Sequence, residues 1–223
     1  MRLRVINIAV LICILVFGAN VKTIAQSLDI SSGGQPTITG SLNGSVSGSA
    51  DVTQNLVVNI NFGEVSPANP NSIIKVVVPI AIRSRQPYKV TVTTSGSINP
   101  AAQAIQLSDI GYGNNNMRVL GYKARICSGS SHVFNAPFNN DPATTATINS
   151  SGRVAYQSTI ANTTNSTVIL SGPDLTQGTN SDRSTNDGWV FDAIFVVTPQ
   201  FFAAGSTSAT LIFTISPGPN VPC

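Results

Sequence analysis

Apolar side chains return at every second position through several stretches of this chain, and that period belongs to a strand with one face in a core. In "NLVVNINFGEV", Leu56, Val58, Ile60 and Phe62 share one face and Asn59 and Asn61 take the other. "NSIIKVVVPIAIRS" places Ile74, Val76, Val78, Ile80 and Ile82 together, with Pro79 on the opposite side. Proline has no N–H to give a ladder, so this run is expected at a sheet edge or a bulge. "QPYKVTVTTSG" follows after a short polar turn, with Tyr88, Val90 and Val92 inward, and the two runs are expected to form a hairpin.

The same reading extends along the chain. "AIQLSDIGYGNNNMRVLGYKARIC" reads as two shorter strands around a turn at Asn114 to Asn116, since asparagine tolerates the left-handed conformations of such turns. "RVAYQS" and "STVILSG" are short strands. "GWVFDAIFVVTPQ" carries the bulkiest inward set, Trp189, Phe191, Ala193, Phe195 and Val197, and "TSATLIFTISP" closes with Leu211, Phe213 and Ile215. Nine or ten strands separated by Gly, Pro and Asn turns, with no long helical pattern, predict an all-β antiparallel sandwich with Greek-key connections. Only 9% of the residues are charged, but the periodic apolar runs set the chain apart from a disordered one.

Ahead of the strands stands "MRLRVINIAVLICILVFGANVKTIAQ". Arg2 and Arg4 precede an apolar stretch too short for a permanent span, and Ala25 supplies a small residue for cleavage, the layout of a secretory signal over 1–25. A lipoprotein signal at Cys13 is the competing reading, but Leu11 and Ile12 leave no small residue before that cysteine. Three of the 12 basic residues, Arg2, Arg4 and Lys22, leave with the signal, so nine face nine acidic ones in the remainder. That balance gives no electrostatic basis for nucleic-acid binding. The one basic cluster, Arg83, Arg85 and Lys89, reads as a solvated turn. Residues 26–50 are a Gly/Ser-rich leader grading into a weak first strand, or an extension that pairs with another subunit, and 51–223 form the sandwich domain.

Cleavage leaves two cysteines, Cys127 and Cys223, the latter the last residue. In an oxidising compartment two thiols of one chain are usually joined, which would fasten the tail to the strand ending "KARIC". An intermolecular crosslink or surface attachment is the alternative. Two sulfurs and one histidine fall short of a four-ligand metal centre.

Residues for other chemistry are sparse. His132, the only histidine, stands in the Ser-rich "SGSSHVF", where an exposed neutral imidazole is the ordinary expectation and nothing sets a nucleophile and an acid around it. Glu64 is the sole glutamate and the aspartates fall singly in turns, so no facing pair of acids is nominated for glycoside hydrolysis. Asp182, Ser184 and Asn186 have the alternate oxygen spacing of a calcium loop, but Gly188 is one place late and Ala193 stands where the bidentate glutamate belongs. No catalytic, metal or cofactor site is therefore expected. Asn43, Asn149, Asn162 and Asn165 head Asn-x-Ser/Thr triplets, which bear on modification only in a cell that glycosylates asparagine. Loops 128–151 and 172–188 are long enough to carry a ligand, and Phe134 and Phe138 are the candidate residues there.

The succession "VVNINFGEV", "VPIAIRSRQPYKVTV", "LSDIGYG", "VILSGPDL" and "ATLIFTISP" resembles bacterial exported β-sandwich proteins of the spore-coat-U and fimbrial-subunit kind. The resemblance implies an immunoglobulin-like sandwich, extracellular placement and structural or adhesive work, sometimes with strand exchange between subunits. The ending "PGPNVPC" departs from the chaperone-docking end of pilin subunits, so assembly by that route is not expected. The expected function is a non-enzymatic, secreted or cell-surface structural protein whose partners are further copies or other surface proteins. A monomeric carbohydrate-binding module is the alternative.

Overall fold

The structure, a computed structural model, describes residues 28–49, 54–65, 73–95, 105–120, 131–173, 188–200 and 205–222. The expected signal, Cys127, Cys223, and Asp182, Ser184 and Asn186 of the calcium-like loop lie outside them. Among the described residues the strands are β1 (Asp29–Ser32), β2 (Thr37–Thr39), β3 (Ser45–Gly48), β4 (Asn55–Val65), β5 (Ile74–Arg83), β6 (Tyr88–Ser95), β7 (Ile110–Leu120), β8 (Val133–Phe134), β9 (Thr147–Ile148), β10 (Val154–Ala155), β11 (Thr167–Gly172), β12 (Gly188–Val197) and β13 (Gly205–Pro217). One helical turn, α1 (Pro142–Thr145), is capped by Asp141, whose Oδ1 accepts from the Ala143 amide. No helix of the described residues is long and apolar enough to cross a membrane.

The first sheet runs β1-β5-β12-β7, with β2 also on β5; the second runs β3-β4-β13-β6-β11-β8, and β9 and β10 form a separate hairpin. The sheets are antiparallel and pack together around one apolar core. The period-two faces supply that core: Leu56, Val58, Ile60 and Phe62 of β4, alternate residues of β5, and Leu211, Phe213 and Ile215 of β13 are all buried. Phe134 of the second sheet meets Phe191 of the first edge-on, with ring centroids 5.8 Å apart.

Several expectations are corrected. β5 and β6 are not a hairpin: β5 pairs with β1, β2 and β12, whereas β6 pairs with β11 and β13. Side-chain period shows which face of a strand is buried, not which strand lies beside it, and here the polar turn carries the chain from one sheet to the other. Nor is β5 an edge. Gly33 donates to the Pro79 carbonyl at 2.8 Å, so the side of Pro79 that lacks an N–H faces the break between β1 and β2. The interrupted neighbour leaves no ladder bond for proline to deny.

β7 is one strand rather than two. Between Val190 and Asp192 its register with β12 slips by one residue, and the extra residue falls beside Asn116, whose φ is +57°. The asparagine that was expected to make a turn makes a bulge. Asn116 Nδ2 and Arg118 NH1 then both donate to the Asp192 carboxylate, at 2.6 and 2.9 Å. β4 has the matching device at Gly63, φ +71°, where a side chain would meet the Leu42 carbonyl oxygen at 2.1 Å.

β12 is buried along its whole length, although alternation assigns it one inward face. Its outer face is covered by the excursion after β8, whose α1 packs on β7 and β12, and Lys75 ties that helix down through Asp141 at 2.6 Å.

Candidate functional sites

Two features stand out, one at an end of the sandwich and one at a sheet edge. The first begins with the order β6-β11-β8. Gly172 pairs with Tyr88 across β11 and β6, and the β8 register, Val133 with Ser171, brings His132 to the other flank of Gly172. Tyr88 and His132 therefore stand on either side of a residue without a side chain. Their polar ends meet over it, Tyr88 Oη to His132 Nδ1 at 2.9 Å. A Cβ at Gly172 would lie 2.6 Å from both of those atoms. Gly172→Ala is expected to lower stability by about 1–3 kcal/mol through overpacking, read as a shift of the urea midpoint at unchanged m value.

His132 is buried at 5% exposure, which corrects the exposed loop imidazole expected for it; edge pairing through β8 draws it under the sandwich end. Burial pushes its pKa down to about 4, so the ring is neutral at pH 7. Tyr88 is also desolvated and its pKa is raised, which keeps the phenol protonated. The Trp189 ring lies against His132 with centroids 4.4 Å apart, and Trp189 is itself 3% exposed. His132 Nε2 and Trp189 Nε1 are both buried without a hydrogen-bond partner among the described residues. Each such orphan costs about 1–3 kcal/mol.

The basic turn between β5 and β6 adjoins this cluster. Trp189 is the register partner of Ile82, so the Arg83 side chain, one residue on, takes the opposite face of the sheet, where it faces Asp29 across β1 and donates to Ser31 Oγ at 3.1 Å. Arg85 is half-exposed, but its Nε is buried and has no hydrogen-bond partner among the described residues. The turn is thus seated in the sandwich end rather than simply solvated.

Of the two loop aromatics, Phe138 is in the core, 5.5 Å from the Tyr112 ring, and Phe134 is half-buried on Phe191. The structure does not bring them together as an open stacking surface. Gly172 and the buried position of His132 were missed from sequence because two-residue β8 carries no periodic signal.

The second feature is the outer edge of β3. The leader is not a loose tether: Leu28 and Ile30 are core residues, β1 and β2 lie on the first sheet, and β3 lies on the second. Ser49 donates to the Val57 carbonyl at 2.9 Å, which makes Ser47 and Asn59 a hydrogen-bonded pair and turns the amides and carbonyls of Val46 and Gly48 away from β4. Among the described residues nothing pairs with them. The opposite edge of the first sheet differs. There β7 is sealed by the excursion, Tyr112 donating to the Ser158 carbonyl at 3.0 Å and Asn114 to the Phe138 carbonyl at 2.7 Å. The signal for the open edge was present in the sequence: from Ile30 to Ala50 there is no charged residue, so the usual guard against edge pairing is missing.

No family model matches the chain, and no curated protein or solved structure does either.

Proposed function

We propose that this is an exported, non-enzymatic surface or extracellular protein that does structural or adhesive work and assembles by pairing of sheet edges. The observation that carries the reading is the β3 edge, uncharged and free of proline, with the main-chain groups of Val46 and Gly48 directed outward. Antiparallel addition of a strand, from a second copy or another surface protein, satisfies those groups and extends the second sheet. Because the leader is seated on its own sheets, the proposed contact is made at its free edge. An immunoglobulin-like Greek-key topology, a cleaved signal and kinship with the spore-coat-U and fimbrial-subunit proteins belong to the same proposal.

The test is the combined variant Ser47→Lys and Gly48→Pro. Gly48 directs its amide away from β4, so proline there removes an outward donor and leaves the β3-β4 ladder intact. By light scattering, wild-type protein is expected to grow in mass with concentration and the variant to remain a monomer. Equal masses for the two at every concentration would sink the proposal. The carbohydrate-binding alternative draws less support, since the Phe138 ring is taken up by the core.

A disulfide between Cys127 and Cys223 is part of the proposal. The described chain leading to each comes to the sandwich end that holds His132: Leu120 pairs with Gly188, Ser131 precedes His132, and Gly218 donates to the Pro87 carbonyl at 2.9 Å. Protein collected from the medium is expected to show no free thiol without reduction and two after it. Reactive thiols in the untreated material would count against both the bridge and the export that forms it.

A further inference from the structure

We infer that the sandwich end built around His132, Trp189 and Arg85 is a binding site for a small carboxylate. The inference is independent of edge assembly and rests on which hydrogen-bonding groups are left over. The Tyr88 hydroxyl meets His132 Nδ1 and no other group among the described residues. Were it to accept from Nδ1, its own proton and the Nε2 lone pair would both lack partners. Donating to Nδ1 leaves only the Nε2 N–H unmet, so that tautomer strands fewer groups. The indole N–H of Trp189 is a donor and nothing else. The cluster thus holds two buried donors, on rings 4.4 Å apart, with no acceptor for either among the described residues.

Such a pair selects a ligand that only accepts. Two hydrogen bonds of about 2.9 Å and the two oxygens of a carboxylate reach across any separation that this ring distance allows. A sugar hydroxyl fits less well, because it brings a proton of its own, and the buried indole has no open face for a sugar ring to stack on. Charge points the same way. Arg85 stands in the turn after β5, with an Nε that is buried and without a hydrogen-bond partner among the described residues, whereas the Arg83 side chain takes the opposite face of the first sheet, where it donates to Ser31 Oγ and faces Asp29 across β1. Guanidinium and carboxylate are geometrically matched, which makes Arg85 the cationic partner at the half-exposed side of the site.

Trp189 is the only tryptophan, so its emission reports on this end of the molecule alone. The full chain is titrated at pH 7 with sodium acetate, and in parallel with sodium chloride at matched ionic strength. Acetate is expected to give a saturable change in emission and chloride none. His132→Phe removes one donor and is expected to abolish the response. Arg85→Gln, at a half-exposed position that leaves the core filled, is expected to weaken it at least tenfold. An unsaturable response, one shared with chloride, or wild-type affinity in Arg85→Gln would overturn the assignment; the first two would mean that water meets the orphan donors.

Discussion

Phe195→Ala is expected to remove about 3–5 kcal/mol from the free energy of unfolding, the range for emptying a fully buried aromatic position. Phe195 sits on β12, between its register partners Val76 of β5 and Tyr112 of β7, and is completely buried. Its ring is stacked on that of Tyr112, centroids 5.0 Å apart and planes 14° from parallel. Removing the ring deprives both neighbouring strands of a contact and leaves a void that the paired backbones have little freedom to close. For a domain held by about 5–15 kcal/mol, that is about a fifth or more of the total. Urea unfolding followed by circular dichroism measures it, with Phe195→Leu as the milder replacement. Ile148→Ala, at a side chain 67% exposed on the β9-β10 hairpin, should shift stability by no more than about 0.5 kcal/mol. Equal effects at the two positions would mean that β12 is not the centre of the core.

Acid should weaken the protein through His132. The ring has a pKa near 4 in the folded state because burial disfavours its charged form, against an ordinary value of 6.5. As pH falls below 6.5 the unfolded chain takes up the proton while the native one refuses it until pH 4, so stability drops across that window and the histidine contributes no further loss below it. The full difference corresponds to about 3 kcal/mol. His132→Gln cannot titrate, and its stability should fall less steeply between pH 6.5 and 4 than that of the wild type. Carboxylates titrate in both proteins alike and cancel in the comparison. The measurement belongs in buffers without carboxylate, since a ligand of that class would hold the native state. Parallel pH profiles would show that the imidazole is not buried in solution.

How much of this was legible in advance follows from what each signal encodes. Alternation at Leu56 to Phe62, Ile74 to Ile82, Tyr88 to Val92 and Leu211 to Ile215 identified the core faces, because a strand's side chains switch sides at every residue whatever lies next to it. Trp189 was read as core for the same reason. The lateral order of strands has no such local imprint. The short turn after Arg83 is compatible with a hairpin or with a passage between sheets, and only the packing of two filled apolar faces against each other decided for the passage. Pro79 argued for an edge on its chemistry alone; the break between β1 and β2 that accommodates it lies more than 40 residues earlier in the chain. Asn116 was recognised as a residue that accepts positive φ, but whether it turns the chain or bulges a strand was settled by Asp192 receiving Asn116 and Arg118 from across the sheet.

The two functional features divide in the same way. An uncharged leader is a property of composition, and the sequence by itself carried it. That β3 is the outermost of the described strands of its sheet, with the main-chain groups of two residues turned away from β4, required the pairing with β4. His132, Tyr88 and Trp189 are separated by 44 residues or more along the chain, and no spacing rule joins them. Sequence determined which faces of the long strands are buried, because side-chain alternation is set residue by residue within each strand; the burial of His132 and of the outer face of β12 came from the elements packed over them. Tertiary structure alone decided which buried groups meet, since that depends on the order in which two sheets assemble their strands.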